Sequence, residues 1–447
     1  MITQSLSASL LDYSCLSCPS GVLCESGAVG VSLGFNDYTV KPVEVPLVYE
    51  SDPTKNALAG VQEFNMWGDY AFLDSHSCFG CVPSPSPSPS LPSPVLVEST
   101  DGFLCAEQSS GVSFVGALPL YIDGFSALKF AILHGFTGQV VELLRKGVNV
   151  NHQDCSGYSA LMLAAQYGHM DVAHVLIKQG ADLNLRDGRG YTALIVAIRF
   201  SHSLFARMLI ERGVNINLDT DVGFTAFSVA SRYGLSDVVS VLVDKGLDID
   251  CQAEGKFTPI MLASRYGHLD TVRVLIDKGA NIDLQNKGNF TALMIASEKG
   301  HVGIVSLLLG FGAASHLQTM LGFTALMLAS HEGHLDIVRE LVGVGGINQR
   351  TGSGFTALMF ASERGFVDIV RVLVGSGAVI DLQNKGDFTA LMLAAKGGHI
   401  AVVRVLIRCG SDVRLMSASR LTAKMVAELY GHRNIAHELS VKSANNG

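Results

Sequence analysis

The residues best suited to chemistry in this chain recur at a fixed interval. His169, His202, His268, His301, His334, His399 and His432 hold one place in a phrase that returns every 33 residues, with a single step of 32. A metal ion needs three or four ligands within about 2 Å of itself. One imidazole per copy, on helices packed about 8–10 Å apart, cannot converge on such a point. A structural role is expected for this column. A second column, Met162, Met261, Met294, Met327, Met359, Met392 and Met425, reads as a packed thioether seam rather than a cofactor site. No phosphate-binding G-x-x-x-x-G-K-[ST], nucleophile-elbow G-x-S-x-G or zinc-binding H-E-x-x-H is present. These columns point away from an enzyme, and neither a cofactor nor a metal is expected.

The elements that must carry these columns follow from the phrase itself. Taking the Ser or Thr before its "AL" as marker gives Ser126, Ser159, Thr192, Thr225, Thr258, Thr291, Thr324, Thr356, Thr389 and Thr422. That is ten copies. The hydroxyl caps a first helix, whose inner face carries Leu326, Met327 and Ala329 in copy seven. Gly333 ends it, and "HLDIVRELV" supplies a second, amphipathic helix. A later Gly, such as Gly279 or Gly312, closes each copy. One copy cannot bury its apolar face alone, so the copies must stack into a solenoid. Three irregularities are visible. Ser201 stands where a helix-ending Gly is expected, "ELVGVGGINQRTGSG" is one residue short and predicts a bend, and copy ten has a more polar second helix, as a cap should.

"SGYSALMLAAQYGHMDVAHVLIKQGADLN" (156–184) resembles the ankyrin repeat, with its Gly-x-Thr-Pro-Leu-His, Ala-Ala, Gly-His and Gly-Ala-Asp signature. The resemblance covers residues 121–440. It implies a mainly α solenoid of stacked helix–loop–helix units with hairpin loops, and a non-catalytic protein-binding role. The signature Pro survives only as Pro259, and Met occupies the signature His position, where packing should replace hydrogen bonds between loops. The resemblance also implies that Asn151, Asn184 and Asn217 match loop positions open to hydroxylation in ankyrin proteins.

Two columns remain for recognition. Before each marker stand Phe125, Tyr158, Tyr191, Phe224, Phe257, Phe290, Phe323, Phe355 and Phe388, then Leu421. By the resemblance this column lies near the hairpin tips, where aromatics either pack on the next hairpin or anchor a partner. The other column ends the first helix, facing the concave groove in the family. It reads Gln166-Tyr167, Arg199-Phe200, Arg232-Tyr233 and Arg265-Tyr266, then Glu298-Lys299, His331-Glu332, Glu363-Arg364 and Lys396-Gly397. The switch from Arg–aromatic to mixed charge marks copies three to five for a carboxylate-bearing extended peptide. Tyr167, Arg199, Phe200, Arg232, Tyr233, Arg265 and Tyr266 are the expected contacts, with Tyr158, Tyr191, Phe224, Phe257, Phe290 and Phe323 beside them.

Residues 1–120 do not repeat. They hold eleven of twelve prolines, and twelve acidic against two basic residues. The remainder carries thirty basic and twenty-eight acidic, so no basic excess favours nucleic acid. "CVPSPSPSPSLPSP" is a linker or polyproline ligand, and Cys15, Cys18, Cys24, Cys78 and Cys81 leave disorder or zinc binding open. This acidic segment can also lie over the Arg strip. No signal peptide and no membrane span is expected. Three widely spaced body cysteines suit a reduced, intracellular, cytoplasmic setting. The expected molecule is a monomeric scaffold or adaptor without cofactor. The rival is a regulator, or a fragment of a larger signalling protein whose catalytic part lies elsewhere. Domains are expected at 1–120, 121–440 and a polar tail, 441–447.

Overall fold

The computed structural model describes residues 124–445. The front segment, its cysteines, its Ser-Pro run and the boundary near 120 lie outside the described residues. Twenty α-helices occur among the described residues, in ten pairs from Gly124–Leu133 to Arg433–Asn445. No strand is present there, only isolated bridges such as Gln153 to Ser159. Substantial helix contacts run within a pair or between neighbouring pairs, as a solenoid requires. The last helix continues to Asn445, past residue 440.

From copy two onward each first helix starts directly after its hydroxyl, whereas in copy one the helix begins at Gly124 and Ser126 lies inside it, against expectation. The side chain of Thr324 accepts the Met327 N–H at 3.3 Å, and Ser159 does the same for Met162 at 3.3 Å. At Ser159 the sulfur of Met162 also accepts the cap residue's own N–H at 3.5 Å, closing a capping box with a thioether. At Met162 the column does more than pack. Thr258, followed by Pro259, makes no cap bond, and nothing in the structure explains why its hydroxyl is buried without a partner.

The two helices of a copy bury different amounts of surface. In copy seven every residue from Ala325 to His331 is buried, because the first helix is flanked by its neighbours and backed by its own second helix. The second helix, Leu335–Leu341, buries only Ile337, Val338 and Leu341. Small residues at the Ala and Ser positions let the first helices approach closely.

Glycine at the end of the first helix is required twice over. Gly300 has φ 82°, and a Cβ there would lie 2.7 Å from the His334 ring of the next copy. That His in turn bonds the Glu298 carbonyl at 3.0 Å. His169, His202, His268, His301, His399 and His432 repeat this bond to the preceding copy at 2.8–3.3 Å. The column rivets seven of the first helices to the next copy, with Leu235 and Phe366 taking the place in copies four and eight. Ser201 keeps the left-handed conformation at φ 59°, and the following copy carries Leu235 in place of His. The ring that a Cβ would meet is absent where the Cβ is present.

The two other irregularities have local solutions. The short copy seven ends its second helix after seven residues, passes through a 3-10 turn at Val342–Val344, and reverses on Gly345 and Gly346, both with positive φ. Loop bonds continue across the junction: Val379 N–H donates to Asn348 Oδ1 at 2.8 Å. In copy ten, Lys424 stands where Leu326 is buried and Glu428 where Ser330 is buried, and the two are 3.8 Å apart. These exchanges make the outer face of the last first helix polar, although Met425 remains 47% exposed.

Candidate protein-binding surface

The aromatic column sits at the exit of a repeated turn. In copy six the Asn286 N–H donates to the Phe290 carbonyl at 3.1 Å, while Asn286 Oδ1 accepts from the N–H of Phe290 at 3.0 Å. Asp154, Asp187, Thr220, Thr319, Thr351, Asn384 and Ser417 supply the same acceptor elsewhere. Ala253 cannot. This turn column was legible as Asp, Asn, Thr or Ser four residues before seven of the nine aromatics, and sequence reading passed over it. The turns fix the ring positions, and the rings are largely covered. Tyr191, Phe224, Phe257, Phe290, Phe323 and Phe355 are buried, and Tyr158 and Phe388 half-buried. Burial pushes the Tyr158 phenol up to about 12, with Asp187 adding to the shift. These rings are part of the packed interior of the stack and leave little surface exposed.

The column at the end of the first helix has a geometry of its own. Its residue in one copy meets the second residue of the same pair in the next copy. Arg232 lies over the Tyr266 ring at 4.8 Å, and Lys396 lies over Tyr430 at 5.7 Å. Arg364 Nη2 donates to His331 Nε2 at 2.8 Å. A guanidinium only donates, so Nε2 is bare and Nδ1–H faces Glu332 Oε1, 2.7 Å away.

Within copies three to five the pattern is Arg on aromatic. Arg199 stacks on Tyr191 at 5.8 Å and on Phe200 at 6.0 Å, and Arg265 on Tyr266 at 5.9 Å. Arg232 is only 7% exposed. No hydrogen bond or ion pair holds its guanidinium among the described residues, yet its nitrogens are not sealed from solvent. Phe200 and Tyr266 are 40% and 38% exposed, whereas Tyr167 and Tyr233 are half-buried. Tyr167 stacks on His169.

Copies six to nine neutralise their charges locally. Lys299 Nζ contacts Glu298 at 2.9 Å, and His331 sits between Glu332 and Arg364. Burial raises the Glu363 carboxyl above its ordinary range, against the opposing pull of Lys396, Arg364, His331 and His399. At the boundary between the two regions the pairing rule would set Arg265 against Lys299. A surface hollow lies there instead, lined by Phe257, Arg265, Ile295, Glu298 and Lys299.

Other candidate groups are absorbed by structure. Burial, with Asp248 and Asp250 nearby, pushes the Cys251 thiol up to about 11, so it stays protonated at neutral pH. Asn151 Oδ1 accepts the Asp182 N–H at 2.7 Å and Asn184 Oδ1 that of Asn215 at 2.8 Å, and both Asn184 and Asn217 are exposed. No helix of the described residues is long and apolar enough to cross a membrane.

No curated protein matches the chain. A family model described as ankyrin repeats (3 copies) matches six overlapping stretches, residues 110–187, 128–220, 176–253, 227–319, 293–384 and 376–446. Repeats of this kind are generally protein–protein interaction modules and typically non-catalytic. With stacked helix pairs, hairpin turns and a model match over most of its length, the chain belongs to the ankyrin repeat family.

Proposed function

We propose that this chain is a non-catalytic scaffold or adaptor that grips an acidic, extended segment of a partner protein along the first-helix ends of copies three to five. Arg232 carries this reading. A guanidinium ordered by a ring at 4.8 Å, with no carboxylate partner among the described residues, is preorganised for an anion supplied from outside. Arg199, over Tyr191 and Phe200, and Arg265, over Tyr266, extend the strip. Exposed Phe200 and Tyr266 add apolar contact. Tyr158, Tyr191, Phe224, Phe257, Phe290 and Phe323 contribute their edges, while Tyr167 and Tyr233 flank the strip. The free thiols of Cys155, Cys251 and Cys409 support a reduced intracellular setting, and a single chain suffices for binding.

The test is crosslinking mass spectrometry on partners captured by the full chain, beside a variant carrying Arg199→Glu, Arg232→Gln and Arg265→Glu. Circular dichroism checks that the variant folds. Crosslinks on copies three to five that disappear in the variant support the reading. Crosslinks placed elsewhere, unchanged by the variant, overturn it.

A further inference from the structure

The aromatic ring of Tyr266 is bracketed by two cations. Arg232 lies 4.8 Å and Arg265 5.9 Å from its centroid, so at most 10.7 Å separates the two guanidinium carbons. They occupy equivalent positions in neighbouring copies, and stacked helices lie about 8–10 Å apart. Their surroundings differ. Arg232 is nearly buried and offers only part of its guanidinium. Arg265 opens on the hollow walled by Phe257 and Ile295, with Lys299 across it. That hollow is shallow, with room for little more than a water, so a side chain lies at its mouth.

We infer that this bracket is a ruler for two carboxylates three residues apart in a polyproline-II-like segment, an inference that rests on the proposed acidic-partner reading. The geometry selects the spacing. A polyproline II helix has three residues per turn and rises about 3.1 Å per residue, so positions i and i+3 share a face about 9.3 Å apart. A β-strand puts same-face residues about 6.6 or 13 Å apart, and an α-helix puts i and i+3 only about 5–6 Å apart. Only the first matches one repeat step while remaining under the bound set by Tyr266. One carboxylate meets the edge of Arg232. The other lies at the mouth of the hollow beside Arg265 and competes with Glu298 for Lys299, now 2.9 Å apart. The two intervening residues cross the exposed edge of Tyr266. Proline suits them, because a pyrrolidine packs on an aromatic and holds the backbone extended.

Rigid peptides test the spacing. Fluorescence anisotropy with the full chain would compare labelled peptides containing Glu-Pro-Pro-Glu, Glu-Pro-Glu and Glu-Pro-Pro-Pro-Glu in one Gly-Ser flank, with Gln-Pro-Pro-Gln as neutral control. Glu-Pro-Pro-Glu is expected to bind about tenfold more tightly than either other acidic spacing, the effect of one added charge-assisted contact. Arg265→Gln should bring it level with them. If all three acidic peptides bind equally and above the control, the ruler is wrong and the acidic-partner reading stands. If no acidic peptide exceeds the control, both fail.

Discussion

Copies three to five and copies six to nine share one backbone geometry and one contact rule, yet present opposite surfaces. In both, the residue ending a first helix meets the next copy's following residue, as in Arg232 with Tyr266 and His331 with Arg364. Arg232, placed on an aromatic, keeps its charge available, because a ring orders it without neutralising it. A His between a carboxylate and a guanidinium has both ring nitrogens committed. On the proposed reading, recognition depends on which residue pairs the contact rule joins, and a hollow lined in part by Arg265 and Lys299 lies where the rule would join two cations.

The largest expected effect strikes the scaffold beneath both regions. Gly300→Ala adds a Cβ at φ 82° and 2.7 Å from the His334 ring. Left-handed strain and overpacking together should cost about 2–4 kcal/mol in denaturant unfolding. Adding His334→Leu should restore part of that loss, reproducing the Ser201 and Leu235 solution of copies three and four. No recovery would mean that the Ser201–Leu235 pairing is coincidental.

A smaller effect sharpens the surface comparison by moving its boundary. Glu298→Arg with Lys299→Tyr gives copy six the letters of copy five. The strip then lengthens by one Arg, Arg265 gains a ring on the next copy, and affinity for a long acidic peptide should rise about tenfold, or ~1.4 kcal/mol. Calorimetric titration reads this directly, and unchanged affinity would show that position along the stack matters more than the letters.

The interiors also differ. Ser264, Ser297, Ser330 and Ser362 are fully buried hydroxyls without a hydrogen-bond partner, whereas copies two and nine hold Ala165 and Ala395 in that column. Ser330→Ala should therefore stabilise by about 1 kcal/mol, seen as a higher denaturation midpoint. A lower midpoint would indicate that the hydroxyl has a partner in solution.

The smallest effects separate the two ends by pH. Burial works against the ionised Asp154, but hydrogen bonds from Lys129, Ser156 and Tyr158 outweigh it and hold the carboxyl below its ordinary value. Its contribution is present above the ordinary Asp range and is lost as pH falls through the lowered folded value. Glu363 is raised, chiefly by burial, so its contribution is present below the ordinary Glu range and lost as pH rises through the folded value. Glu363→Gln should stabilise at neutral pH, with the gain vanishing in acid. Asp154→Asn should destabilise at neutral pH, with the loss vanishing in acid. Thermal melts across pH check both signs.

The period, the caps and the helix-ending glycines were legible because each depends on residues close in sequence. Met327 lies three positions from Thr324, and Gly333 directly follows its helix. The expected solenoid stands for the same reason. What escaped reading are contacts that jump one copy. Nothing beside Arg232 announces Tyr266, thirty-four positions on, so a residue expected on an open strip is nearly buried. Ser201, read as a defect, makes sense only against Leu235 at the same separation. The aromatic column was legible as a column, but its burial depends on packing between copies that letters do not encode.

The most direct test of the central claim applies one charge change to both regions. Arg232→Glu with Arg265→Glu, and Arg364→Glu with Lys396→Glu, alter net charge equally, so nonspecific electrostatics shift alike. Calorimetric titration of each folded variant with the Glu-Pro-Pro-Glu peptide separates them. The account predicts that the first pair abolishes measurable binding and that the second weakens it by less than about threefold, the loss of distant, screened charge. Equal loss in both variants would contradict it, showing that the peptide responds to overall charge and not to the Arg–aromatic strip.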